Sequence, residues 1–412
     1  MVPSAAVLEP AAFLLYDAVA FGMLLYTRTT FRVKILGGED FRLRPRLLLV
    51  CTHRAETDVP LICPAIYFRS RLWRDLRHRL HFAARDDLFE PGFFAGFPEG
   101  LPPTLRRALY GFDAGRMLPF VRVHPIRSTA TIKLAQVLAA LPREAPLRPV
   151  LPSEMWGRFC ARAAAVHRPP PTTAGEALRG EFADLLWTSF TREELSAPDL
   201  EEIWGARTVE ATADLGKLVD LLRSGEALLI FPEGRPSPDG SIGPLRRGLG
   251  ALVRRGRPET VQPLAVAYDP LTTGRTRAYV SIGEPLTPPA DAVEEAVLSA
   301  LKSATPLTCG QVVADRLVAA ARAGRGSIQA AELDTALAGA VAEATAEPRN
   351  ADPALLDPPT RRRRLSDCLA CLVGRGLVAT PDRRSLELGR ERVLADSQLL
   401  RLAGELASAR ER

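Results

Sequence analysis

Three short apolar runs constrain this chain most: LLLVC at 47–51, ALLIF at 227–231 and VQPLAVAY at 261–268. The first two have strand length and no alternation, as strands buried on both faces do. The third reads as a further strand. FRVKIL at 31–36 alternates and ends in the turn GGED, and LPFVRVHPI at 118–126 is another strand candidate. Helical stretches lie among them. One begins after Thr57, with Asp58 and Pro60 in its first turn, and TATIKLAQVLAAL at 129–141 is another. ATADLGKLVDLLRSG at 211–225 stops at Gly225. PLRRGLGALVRRG at 244–256 starts at Pro244 and carries Leu245, Leu249, Leu252 and Val253 on one face. Strand and helix alternate, so the expected class is α/β, a mixed sheet flanked by helices.

In such sheets function gathers where strands end. His53 stands at the end of LLLVC, and Glu233 stands just past ALLIF. His53 and Asp58 lie five apart, which on a continuous helix separates them by about 140°. They meet only if the chain bends between them, as at a strand–loop–helix junction. A neutral imidazole can take up a proton near pH 7. A carboxylate on its other nitrogen fixes the tautomer and stabilises the cation. Cys51 lies within the strand and reads as buried.

Composition bounds the alternatives. The chain has 412 residues, 47% hydrophobic and 25% charged, which is globular and suits one large domain plus a smaller one. The net charge of +6, carried mostly by Arg, is no nucleic-acid footprint but is compatible with an anionic membrane or a phosphorylated substrate. Six scattered cysteines suggest a reducing compartment, and Cys368 and Cys371 sit in an apolar helical pattern as core thiols rather than zinc ligands. Residues 11–26 are apolar except for Asp17, and are short for a span of roughly 20 residues. They lack a basic n-region and follow Glu9, unlike a signal peptide. Arg28, Arg32 and Lys34 follow, so this segment is expected to lie in a membrane surface as a peripheral anchor. A core-packing helix is the other reading.

Several blocks then resemble one family. HRAETD at 53–58 matches the H-x-x-x-x-D signature of the glycerophosphate and lysophospholipid acyltransferase superfamily, which includes the 1-acylglycerol-3-phosphate acyltransferases. FPEGRPSPDG at 231–240 resembles its F-P-E-G block, although Arg235 stands one place early. PLRRG at 244–248 resembles its short basic segment, and VQPLAVAY its apolar strand. FAARDDLF at 82–89 resembles the segment after the first helix, and FVRVHPIR at 120–127 the strand with the acceptor-binding arginine. The resemblance covers roughly residues 30–290.

It implies a fatty acyl group moved from an acyl thioester, acyl-CoA or acyl carrier protein, to the hydroxyl of a lysophospholipid or glycerol-phosphate acceptor. His53 would be the general base, with Asp58 as its partner. Glu233, Gly234, Arg235, Arg127 and Arg122 would bind substrate, Arg122 being less favoured because it falls mid-strand. Neither a cofactor nor a metal is implied. The protein would sit peripherally on the cytoplasmic face of a membrane. FPEG occurs twice, and only the second copy is expected to act, because Pro91, Gly92 and Gly96 break any strand before Glu99.

Three regions result: 1–30, a membrane-associating helix; 31–291, the acyltransferase domain, with a Pro-rich insertion at about 142–205; and 292–412, a small helical domain. The last reads as helices at 292–304, 309–323 and 328–345, then RRRRLSDCLACLVGRG and two short runs resembling a winged-helix wing. DNA binding, helped by Arg361 to Arg364, competes there with a packing or oligomerisation role, which is favoured. Two other functions stay open. One is a catalytically silent membrane- or lipid-binding module of the same fold. The other is a hydrolase holding a metal on His53, Asp58 and Glu233, although H-x-x-x-H spacing is lacking.

Overall fold

The computed structural model describes residues 5–68, 79–90, 93, 104, 105, 109, 111, 113–195, 198–346, 350–380 and 384–410. In chain order the principal elements are α1 (Ala5–Thr30), β1 (Arg32–Leu36), β2 (Leu47–Cys51), α2 (Asp58–Tyr67), β3 (His81–Arg85), β4 (Val123–Ile126), α3 (Pro198–Arg223), β5 (Leu228–Ile230), α4 (Gly248–Gly256), β6 (Thr260–Asp269) and β7 (Arg277–Ile282). They continue with α5 (Val293–Ala304), α6 (Cys309–Arg322), β8 (Ser327–Gln329), α7 (Ala330–Ala346), α8 (Pro358–Gly374), β9 (Val378–Ala379), β10 (Ser385–Leu388) and α9 (Ser397–Arg410). Residues 14–80 with 221–412 form one compact unit, and 1–13 with 81–220 form a second.

Five strands of the larger unit lie side by side in the order β1-β7-β6-β2-β5. β2 has a parallel neighbour on each side, β5 and β6, and within this sheet only β6 with β7 is antiparallel. Every residue of β2 is buried, which is why its sequence shows no alternation. Burying a leucine such as Leu48 or Leu49 stabilises by roughly 1.5–3 kcal/mol. The expected α/β class therefore holds, with a mostly parallel mixed sheet.

The 292–412 region packs within this larger unit. Its principal elements run α6-β8-α7-α8-β9-β10, with β10 antiparallel to both β8 and β9. Val313, Leu317, Leu337 and Leu372 build its core. Arg364 is buried and pairs with Asp269 at the end of β6, at 2.6 Å. Asp367 accepts from Thr272 Oγ1 at 2.7 Å and from the Thr273 amide at 3.0 Å. The basic run is thus partly spent on holding α8 to the sheet, while Arg362 stays exposed.

In the smaller unit β3 and β4 pair in parallel, Phe82 opposite Val123. The stretch expected as an insertion contributes to a separate apolar core of Leu138, Phe159, Phe182 and Trp204. No helix among the described residues is long and apolar enough to cross a membrane. Along α1, Tyr16, Ala20 and Thr27 face inward, while Leu14, Phe21, Leu25 and Tyr26 are exposed. Lys34, expected at headgroups, instead pairs with Asp352 at 2.8 Å.

Candidate active site

The register of β2 and β5 builds the site. Val50 lies opposite Ile230 in parallel neighbours, and such strands are about 4.8 Å apart. Three residues beyond that pair stand His53 and Glu233, at the same level above the sheet's carboxyl edge. The His53 amide donates to Glu233 Oε1 at 2.8 Å, and the Gly243 amide to Oε2 at 3.1 Å. Glu233 is 5% exposed. Burial pushes its carboxyl up, while the His53 amide and the Arg54 charge pull it back. Glu233 is therefore a brace for the backbone that carries the histidine.

The chain bends at 52–57, and Asp58 opens α2. Asp58 Oδ2 accepts from His53 Nδ1 at 2.9 Å, from the Arg54 amide at 2.6 Å and from the Ala55 amide at 2.9 Å. Oδ1 accepts from the Tyr268 hydroxyl at 2.8 Å, which in turn accepts from Thr57 Oγ1 at 3.0 Å. Four donors at the N-terminus of α2 thus satisfy both oxygens of Asp58 in a fully buried position. With Nδ1–H given to Asp58, the Nε2 lone pair is the basic position, and among the described residues nothing hydrogen-bonds it. Phe231 lies against the ring, centroids 4.6 Å apart. The Cys51 thiol is buried, and burial pushes it up and away from thiolate chemistry. Tyr268 was not anticipated, although it occupies the end of the VQPLAVAY strand beside β2.

The loop after β5 needs glycine where it turns. Gly234 has φ +76°, and a Cβ there would stand 3.3 Å from Arg246 Nε. The Arg246 amide returns to the Pro232 carbonyl at 2.9 Å. Residues 244–247 therefore close this loop, and α4 starts at Gly248, four residues after the expected Pro244. Arg235 is exposed beside Gly234. The first FPEG copy, with Glu99, lies outside the described residues.

Arg122 and Arg127 belong to the smaller unit. Arg122 is not mid-strand. It caps a 3-10 turn in a left-handed conformation before β4 begins, because the turn at 118–121 interrupts the expected strand. Its Nη1 donates to His81 Nε2 at 2.7 Å, so His81 Nδ1–H donates to His124 Nε2, also at 2.7 Å. Burial, then the charges of Arg122 and His124, hold His81 down to about 3. Arg127, the expected phosphate ligand, pairs instead with Asp214 at 2.6 Å and Glu210 at 3.0 Å. Its charge is already matched by two carboxylates of α3.

Among the described residues no group of three His, Cys, Asp or Glu side chains could hold a metal ion. The two carboxylates nearest His53 accept N–H and O–H donors, which suits hydrogen bonding rather than ligation.

Residues 183–267 match the model of the Acyltransferase family. The match contains β5, Glu233, α4 and most of β6. It begins inside the stretch expected as an insertion, and His53 and Asp58 lie before it. The chain thus carries a glycerophosphate and lysophospholipid acyltransferase family domain, which supports a general acyltransferase role. No curated protein matches the chain.

Proposed function

We propose, from an acyltransferase-family domain whose strand ends meet at His53, that this protein moves a fatty acyl group from an acyl thioester to the hydroxyl of a lysophospholipid or glycerol-phosphate acceptor. His53 Nε2 takes the hydroxyl proton as the oxygen bonds to the thioester carbonyl carbon. The carbon–sulfur bond then breaks, and the thiol leaves with the proton from the imidazolium. Asp58 holds the tautomer and stabilises the imidazolium. Glu233 fixes the height of the His53 backbone. Arg235, exposed at the loop beside Glu233, is the candidate phosphate contact. No nucleophilic side chain is required.

The observation that carries this reading is the His53–Asp58 contact at 2.9 Å, with Asp58 buried under three further donors. The exposed stripe of α1 favours work at a lipid surface, with Phe21 and Leu25 among acyl chains and Arg28 and Arg32 at headgroups. A peripheral position on the cytoplasmic leaflet would supply both lipid acceptor and soluble thioester.

Steady-state turnover of one acyl-CoA against lysolipid acceptors, with and without phosphate, tests the mechanism. His53→Ala is expected to lose at least about 10³-fold in kcat while staying folded. Asp58→Asn should retain residual turnover, because it disturbs the tautomer and leaves the base. Wild-type turnover in His53→Ala ends the proposal.

A further inference from the structure

The helix α9 lies beyond the stretch that resembles the acyltransferase blocks, yet it touches both halves of the site. Arg401 Nη2 donates to the main-chain carbonyl of Arg54, the residue after the base. Arg54 is itself 1% exposed. Its Nη1 donates to the carbonyls of Gly240 and, at 3.3 Å, Ser241 in the loop after β5, and its Nε and Nη2 make no hydrogen bond. One turn along α9, Glu405 is buried and accepts from Gln311 Nε2 at 3.0 Å. Burial pushes the Glu405 carboxyl up, and the charges of Arg54 and Arg401 pull it back. Ser408 Oγ accepts the Ile242 amide at 3.0 Å.

Helix and loop meet backbone to backbone. A Cβ on Gly404 would stand 1.9 Å from the Asp239 carbonyl oxygen, and one on Gly240 would stand 2.2 Å from the Arg401 carbonyl oxygen. Neither position has room for a side chain. The contact also has a short route to the base. Ile242 is held by Ser408, and the next amide, Gly243, binds Glu233 Oε2, whose other oxygen holds the His53 amide.

We propose that α9 is a clamp on the active site. Arg401, Gly404 and Ser408 are positioning residues that set the loop at 231–243, and through Glu233 the height of His53. The functional consequence rests on the acyl-transfer reading, but the mechanical one does not. The clamp also makes the 292–412 region necessary for chemistry, although it carries none of the family's motifs.

The full-length chain tests this with Gly404→Ala, Ser408→Ala, Arg401→Ala, Arg401→Lys and, as control, Arg410→Ala, whose partner is the exposed Glu343. Alanine is the better helix residue, so a loss in Gly404→Ala cannot come from weaker helix formation. Two quantities are read: kcat and KM with acyl-CoA and lysophosphatidate, and hydrogen–deuterium exchange of peptides covering 51–58 and 231–243. Gly404→Ala and Ser408→Ala are expected to lower kcat about tenfold or more, since small misplacements near a base are costly. Exchange in both segments should rise while α6 stays protected. Arg401→Lys should fall between wild type and Arg401→Ala, and Arg410→Ala should match wild type. Wild-type kcat with wild-type exchange in both Gly404→Ala and Ser408→Ala overturns the clamp. So does a loss of kcat with no change in exchange at 51–58. If the wild-type protein transfers no acyl group, the proposed reaction fails, and exchange at 51–58 alone decides the clamp.

Discussion

Glu233 acts on the main chain rather than on a side chain. Its two oxygens accept the amides of His53 and Gly243. Glu233→Gln keeps the shape but turns an NH2 group toward one of those amides. A buried amide left without an acceptor costs about 1–3 kcal/mol, or roughly a 5- to 140-fold loss at 1.4 kcal/mol per decade. We expect kcat/KM to fall by that factor with one fixed acceptor, and a change within twofold would show that the brace is unimportant. His53, Asp58 and Glu233 were legible in the sequence because each is a distinctive side chain just past an apolar run. Their hydrogen bonds were not. A backbone amide carries no letter, so the partners of Glu233 could not be read, and Tyr268 looked like one more apolar residue of its strand.

Element by element, the same limit appears. The start of α2 at Asp58 and the helices of the tail were readable from apolar spacing and capping. The start of α4 was not, because Pro244 suits a first turn equally well and only the return of Arg246 to Pro232 excludes it. α9 went unread, since its inner face earns its place by contact with a distant loop. The docking of α8 can be tested through pH. Burial opposes ionisation of Asp367, but hydrogen bonds from Thr273 and Thr272 and the Arg364 charge prevail and hold it at about 2, below its usual 3.8. A depressed carboxylate contributes stability above its unfolded pKa and loses it as pH falls toward the folded one. Arg277 adds to this at 3.5 Å, whereas buried Asp269, pushed up, works in the opposite sense. The comparison with Asp367→Asn isolates the effect. Urea midpoints of the two proteins should differ most above about pH 4 and converge as pH falls to about 2. A gap that stays constant from pH 6 to pH 2 would assign the docking to other groups.

For the molecule as a whole, α1 is the outward-facing test. Its inner stripe is needed for folding, with Tyr16 and Ala20 buried and Asp17 bonded to Arg79 at 3.1 Å. Removing the helix would therefore confuse unfolding with detachment. Phe21→Glu combined with Leu25→Glu alters only exposed positions, 61% and 59% accessible. Each buried side chain of this size is worth roughly 1.5–3 kcal/mol, and each arginine about 1 kcal/mol at an anionic surface. The wild-type protein should float with phosphatidylserine-containing vesicles, less so in high salt, and the double variant should not. Equal flotation of the two would move the lipid contact elsewhere.

The brace from Glu233 to His53 spans 180 positions along the chain. A ribosome adds about 5–20 residues per second, so on the order of ten to forty seconds separate the appearance of His53 from that of Glu233. Through that interval β2 has no β5 or β6 beside it, and the His53 segment has no fixed height. A ribosome-bound fragment ending before β5 therefore has His53 but lacks the carboxylate that holds its amide.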